Sequence, residues 1–513
     1  MKLSYKRTLL VGFAFFLICA FWQAYDALIP KILTDKFGMN QANSGIIMAL
    51  DNILALFMLP LFGAISDKCR SRLGKRTPFI LAGTVAAAAL LIALSFVEGM
   101  QLKNLSAVQG MDTPETLQTL YDFQYEGDLM TPEGERYVLA EEAPEGVTAV
   151  SRQRFMALTL DDPDYMAYAA PARQAYAHAQ TAADRTPLIL FIGVLLLLLI
   201  AMSTFRSPAV ALMPAVTMKP LRSKGNAIIN LMGSAGGIIV LALGIVFATG
   251  AARNALMPYR GFFAIVAGLM LISLGIFMLT VREKQWAGEM RRESARYGVA
   301  EEDEAPEKGS RRLDPAERRS LIFILLSIVL WFMGYNAVTS KYSVYADKVL
   351  SRDFNTTLII AQAAAILSYL PVGVIASKVG RKKTILAGVV MLAAAFLIAS
   401  FLRAGSSPLL MNFMFALAGV AWATINVNSF PMVVEMCRGG DIGRYTGYYY
   451  TASMAAQTVT PYFSGMLMDK AGMTVLFPYA AVFSALAFVT MLFVRHGDSK
   501  PQARKGLEAL DND

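Results

Sequence analysis

Two carboxylates stand inside long apolar runs: Asp26, in Trp22-Gln23-Ala24-Tyr25-Asp26, and Asp51, followed by Asn52. A charged side chain at the centre of a hydrocarbon layer costs roughly 2.5–3.5 kcal/mol on insertion scales, so such a group faces a watery cavity or a partner. The chemistry open to it is cation binding, because its oxygens accept a proton or act as hard ligands for sodium. Both histidines, His178 and His496, fall outside the apolar runs, which leaves Asp26 and Asp51 as the ion-coupling candidates. The structural alternatives are an interfacial pair of Asp26 with Lys31, and an interhelical hydrogen bond from Asp51.

Further along, Trp422, Asn426 and Asn428 precede Pro431 and Glu435, and Tyr449, Ser453 and Gln457 recur at i, i+4 and i+8, on one face of a helix. Amides and hydroxyls interleaved with flat aromatics suit a sugar, whose hydroxyls need hydrogen bonds and whose C–H faces lie on rings. The candidate ligand contacts are Trp422, Asn426, Tyr449, Ser453 and Gln457, with Tyr25 and Asn52 beside the carboxylates and Tyr335 and Asn336 in the second half. A similar spacing at Asn226, Asn230 and Ser234, among Gly233, Gly236 and Gly237, reads instead as packing between close helices.

These groups need a membrane scaffold. Of 513 residues, 56% are hydrophobic and only 17% charged, with a mean hydropathy of +0.47, a profile of a polytopic membrane protein. Apolar stretches long enough to cross a bilayer fall near 8–30, 43–66, 77–99, 187–210, 226–250, 260–281, 319–340, 355–377, 384–403, 408–435, 445–468 and 472–494, six and six. The run at 8–30 is too long for a secretory signal and reads as an uncleaved helix. The net charge of +9 comes from short basic turns between spans, where the positive-inside rule explains it without nucleic acid, and puts both termini in the cytoplasm. Cys19, Cys69 and Cys437 offer no pair on an oxidising face, so no disulfide is expected.

The chain divides into a first bundle at 1–281, a charged linker at 282–318, a second bundle at 319–495 and a tail at 496–513 expected to be disordered. Asp314-Pro315 is a helix start for the seventh span. Residues 100–185 interrupt the first bundle on the face opposite the basic turns, and read as an irregular, dispensable external insertion with a short helix around Tyr165 to Ala183.

The halves are related. The turn from Gly63 to Ile80, with five Lys or Arg, returns in shorter form from Gly373 to Thr384, an offset of 310. Tyr25-Asp26-Ala27 and Lys31 return at the same offset as Tyr335-Asn336-Ala337 and Lys341. Gly63, Asp67, Lys68, Gly74, Lys75 and Arg76, with Cys69 to Arg72 as an insertion, match the signature after the second helix of the major facilitator superfamily, and the chain resembles its transporters. The Cys69 insertion, together with Ala421-Trp422-Ala423-Thr424-Ile425-Asn426-Val427-Asn428-Ser429-Phe430-Pro431 and Tyr445-Thr446-Gly447-Tyr448-Tyr449-Tyr450, is similar to the sucrose-proton symporter branch near the glycoside-pentoside-hexuronide:cation symporters.

The resemblance implies an all-α membrane protein of twelve transmembrane helices in two pseudo-symmetric six-helix bundles. It implies a monomeric sugar or glycoside symporter in the cell or inner membrane, coupled to a proton or sodium ion, with no other cofactor and no metal. The basic turn is expected to form a cytoplasmic gate, because charges at helix ends can lock two elements across a seam: Gly63, Asp67, Arg72, Gly74, Lys75 and Arg76, joined by Glu435, Arg444 and Arg206. Arg206 falls near the inner end of the fourth span, where an arginine snorkelling to headgroups is the alternative. Relatives carry an acidic residue soon after this arginine, where this chain has Ala215. An enzyme is not expected, and no nucleotide-binding loop supports an ATP-driven pump. The rival readings are a drug or metabolite antiporter and a nutrient sensor on a transporter scaffold.

Overall fold

The computed structural model describes residues 4–123, 127–217, 222–296, 314–434, 436 and 442–497. The first set of long helices is α1 (Tyr5–Lys31, continued by a π-helical turn, Ile32–Lys36), α2 (Gln41–Lys68) and α3 (Thr77–Asn104). An insertion follows, with α4 (Pro114–Asp122), β1 (Leu129–Met130), β2 (Arg136–Val138), β3 (Thr148–Ala149), α5 (Arg152–Met156) and α6 (Ala170–Ala183). The set is completed by α7 (Thr186–Val216), α8 (Arg222–Val246) and α9 (Arg260–Thr280), and a linker helix α10 (Glu283–Arg296) follows. The second set is α11 (Pro315–Lys348), α12 (Phe354–Val379), α13 (Arg381–Ala399), α14 (Pro408–Val434), α15 (Ile442–Ala471) and α16 (Leu476–Leu492).

Ten of the described helices are long and apolar enough to cross a bilayer, making this a multi-pass membrane protein. The other two of the twelve are α12 and α15, the latter carrying Tyr449, Ser453, Gln457 and Thr460 along its length. Helix α11 begins as its sequence dictates: Asp314 and Glu317 form a capping box around Pro315.

The repeat is visible in the packing. In the first set α1 packs on α8, α3 on α7 and α9, and α2 on α7; in the second, α11 packs on α15, α13 on α14 and α16, and α12 on α14. Each first-set pair maps onto its second-set counterpart. The sets meet reciprocally, α2 on α15 and α12 on α8, with α1 against α11.

The insertion is not irregular, contrary to the sequence reading. Leu105, Leu117, Leu120, Tyr137, Phe155 and Tyr165 belong to a hydrophobic core of its own, separate from that of the helical sets. β2 pairs antiparallel with β1 and parallel with β3. The expected helix near Tyr165 to Ala183 is present, as a π turn at Tyr165–Ala169 leading into α6. Its apolar side chains are scattered over short elements, so no single period betrays the core.

Candidate functional site

Inside α1, α2 and α7, away from their ends, three ionisable groups converge. Asp26 lies ten residues before Lys36, where the α1 rod ends, and Arg206 ten residues before the end of α7; at 1.5 Å per residue each is about 15 Å from that end. Arg206 places its guanidinium 5.1 Å from the Trp22 ring centroid and is near enough to act electrostatically on both Asp26 and Asp51. Asn52 donates to Asp51 at 2.7 Å. Tyr25 is buried edge-on against Trp22, and its hydroxyl has no hydrogen-bond partner and lies within electrostatic range of both carboxylates. Asp26, Asp51, Asn52 and Arg206 are all half-buried. Two carboxylates thus share one guanidinium, and the cluster carries one negative charge when both are ionised.

The second set faces this cluster with rings and amides. Tyr335 and Trp422 stack with centroids 3.6 Å apart and planes 3° from parallel, and Phe332 meets Trp422 edge-on. Tyr335 lies within electrostatic range of Asp26, which ties the ring platform to the charged cluster. Asn336 keeps a buried amide nitrogen without a partner, and Asn426, on the exposed side of α14, lies within hydrogen-bonding reach of Tyr369. Between the sets, Gln362 of α12 bonds to Gln23 of α1.

Toward the insertion, the sets are tied together. Lys31 forms an ion pair with Asp347 and lies 3.8 Å from Asp35, all three buried. Asp469 of α15 accepts the amides of Gln41 and Ala42 at 2.8 and 2.7 Å, capping α2 from the other set, and Lys341 donates to the Gln41 carbonyl at 2.6 Å. Asn355 bonds to Thr249 at 3.1 Å at the reciprocal α8–α12 contact. A Cβ on Gly45 or Gly465 would collide with the backbone of the opposing helix, so α2 and α15 touch here main chain to main chain. This face is closed.

Several candidates stand elsewhere than expected. Arg206 is in the central cluster, because α7 runs on to Val216 and leaves the arginine well inside the helix. Lys31 pairs with Asp347 and Asp35 rather than with Asp26. Tyr449 and Ser453 are buried, with the Tyr449 hydroxyl 3.2 Å from that of Ser429 and the Ser453 hydroxyl bonded to the Tyr450 carbonyl, so both are used within the second set. Gln457 donates to the Ser453 carbonyl at 3.3 Å and is half-buried.

The basic turn is organised by a residue the sequence reading passed over. Buried Glu283 of α10 accepts the backbone amides of Lys75 and Arg76 at 3.0 and 3.1 Å, and the amide and hydroxyl of Thr77 at 2.9 and 2.8 Å. Gly74 packs against it at φ +128, with no room for a side chain. Arg72 is exposed, and a Cβ on Gly63 would lie 2.9 Å from Ser207 of α7. Asp67 lies in α2 and Arg444 in α15, but their side chains fall outside the described residues, as does Glu435 entirely. The sequence reading also missed Trp22, Gln23, Gln362 and Tyr369; the signal for Gln23 and Gln362 was an amide inside an apolar run.

No curated protein matches the chain. Solved structures do. The inward-open xylose transporter XylE from E. coli aligns over 99% of this chain and 100% of its own at TM-score 0.57 and 14% identity. A D-xylose-proton symporter aligns over 96% and 99% at TM-score 0.58 and 14% identity. A bacterial homologue of the human drug peptide transporters aligns over 96% and 98% at TM-score 0.55 and 12% identity. At these identities the likeness is one of fold, and it matches the two reciprocal six-helix sets described above. The model of the MFS_1 like family covers residues 10–479, nearly the whole chain, and the protein belongs to that family.

Proposed function

We propose that this protein is a secondary active transporter that moves a sugar or glycoside together with a proton or sodium ion. One observation carries the reading: two carboxylates, Asp26 and Asp51, share one guanidinium, Arg206, inside the helical set and within electrostatic range of the stacked Tyr335–Trp422 pair. One monovalent cation makes the cluster neutral, and a neutral cluster crosses a low-dielectric barrier more easily than a charged one. Flat rings beside Asn336, Asn426 and Gln362 suit the faces and hydroxyls of a sugar.

The sets then rock about the substrate, and the seam at the insertion is shut in this structure. With the basic turns in the cytoplasm, both termini are cytoplasmic and the insertion is external, in a cell or inner membrane; the working unit is a monomer. The sugar-proton symporters of like fold and the branch-level motif around Trp422 support this reading.

The test is an uptake screen in proteoliposomes over sugars, glycosides, nucleosides and peptides at several pH and sodium values. Accumulation of a sugar driven by an imposed proton or sodium gradient is the expected result. Counterflow of a drug or metabolite without sugar uptake would establish the antiporter reading instead.

A further inference from the structure

Resting on the alternating-access reading above, we propose that the insertion is an external latch, carried by the first helical set and fastened to the second only while the outer face is shut. Its attachment to the first set is broad. Ala255 and Leu256, from the α8–α9 connection, belong to the insertion's own core. Gln101 of α3 donates to Thr181 at 2.9 Å and to the Lys36 carbonyl at 2.8 Å, and Gln174 donates to the Met39 carbonyl at 3.0 Å. Apolar burial and several buried hydrogen bonds make this a unit that moves as one with α1 and α3.

Among the described residues, its hydrogen bonds to the second set are of another kind, made at helix ends. Lys348, in the last turn of α11, donates to Gln174 at 2.5 Å, so that one glutamine side chain holds both sets, its nitrogen on Met39 and its oxygen on Lys348. The β1–β2 turn reaches the end of α15, where the Met473 amide donates to the Pro132 carbonyl at 2.7 Å. There two glycines with left-handed backbones face each other: Gly134 has φ +94 and Gly472 φ +87. A Cβ on Gly472 would lie 2.7 Å from the Glu133 carbonyl carbon, and one on Gly134 would lie 3.1 Å from the Ala471 carbonyl oxygen. Each glycine thus supplies both a backbone angle that other residues resist and the room for main chain to meet main chain.

Opening the outer face separates α2 from α15 and α1 from α11, and the insertion bridges both separations from outside. The bridging contacts are a handful of part-buried hydrogen bonds, each of small net worth once water can replace it, whereas the attachment to the first set includes an apolar core; the fastening is therefore the part that can let go. The expectation of a dispensable loop gives way to that of a part that sets how often the outer face opens.

Two measurements test the latch, both in protein with Cys19, Cys69 and Cys437 replaced by serine. In the first, Pro132→Cys and Met473→Cys are joined by a disulfide. Oxidised protein is expected to lose uptake and reduced protein to regain it; turnover by the oxidised protein at the reduced rate would overturn the latch. In the second, Ser44→Cys reports on the closed seam, since Ser44 is fully buried beside the α2–α15 contact. Combining it with Gln174→Leu and Lys348→Met should speed its alkylation by a membrane-impermeant maleimide roughly five-fold or more, as the open population grows. An unchanged or slower rate in protein of unchanged melting temperature would overturn the proposal. Reduced protein that transports nothing would count against the transport reading, while the alkylation rate still decides on the latch.

Discussion

Lys31 and Lys341 hold equivalent positions in the two halves, and each sends its ammonium across the seam into the other half. Lys31 reaches Asp347 of α11, and Lys341 reaches the Gln41 carbonyl at the start of α2. The pseudo-twofold relation detected as an offset in sequence is therefore used to close one face with the same residue type twice. The partners differ, a carboxylate for Lys31 and a main-chain carbonyl for Lys341, with Asp469 beside the latter on the Gln41 and Ala42 amides.

The Lys31–Asp347 pair is deeply buried, with side-chain exposures of 1% and 3%. Removing one member of such a pair typically costs about 3–5 kcal/mol, whereas replacing both by apolar groups is often neutral. Lys31→Met is expected to lower the melting temperature of the purified protein markedly, and Lys31→Met with Asp347→Leu to recover most of the loss. Additive losses in the double variant, measured by thermal unfolding in detergent, would show that the two side chains are not coupled.

Glu283 gathers donors from three consecutive residues at the start of α3. Glu283→Ala leaves buried N–H groups unsatisfied, at roughly 1–3 kcal/mol. Limited proteolysis should then cut the turn around residues 69–76 faster than in the parent protein. An unchanged cleavage rate would mean that the turn holds its shape without α10.

Much of this architecture was legible. The twelve apolar runs, the halves related by 310 positions, the capping box at Asp314 and the carboxylates in the first half all follow from hydropathy, spacing and residue type. What stayed hidden depends on distances between segments remote in sequence. Lys31 reads as a partner of Asp26 because they are five apart, but its partner Asp347 is 316 positions away. Arg206 reads as a residue of the cytoplasmic gate because hydropathy ends the span near 210, whereas α7 extends to Val216. The Tyr449–Ser453–Gln457 stripe is a correct helical spacing, but hydroxyls can be absorbed by their own bundle, and two of these are.

The Tyr335–Trp422 stack supplies the flat surface against which a sugar ring would lie. An aromatic pair is worth about 0.5–1.5 kcal/mol beyond its buried area, so Trp422→Ala should weaken substrate binding by roughly two- to ten-fold, and Trp422→Phe by less. Equilibrium binding of the sugar identified by the uptake screen checks this. Unaltered affinity in Trp422→Ala would remove the ring platform from recognition.

The last prediction concerns coupling. Asp51 is held by Asn52 and lies within electrostatic reach of both Arg206 and Asp26, so its charge state is tied to the balance of the whole cluster. An asparagine at this position keeps the shape and the hydrogen-bonding capacity while removing the charge, and it imitates the cation-loaded site. At the position equivalent to Asp26 the second half already carries an amide, Asn336, so a neutral hydrogen-bonder is compatible with that place in the repeat. Asp51→Asn should therefore abolish accumulation driven by a proton or sodium gradient while sparing exchange of labelled for unlabelled substrate, because exchange needs no net ion movement. The two assays on one preparation of proteoliposomes separate the outcomes: loss of both would place Asp51 in substrate binding or folding, and full accumulation would return it to a structural role in α2.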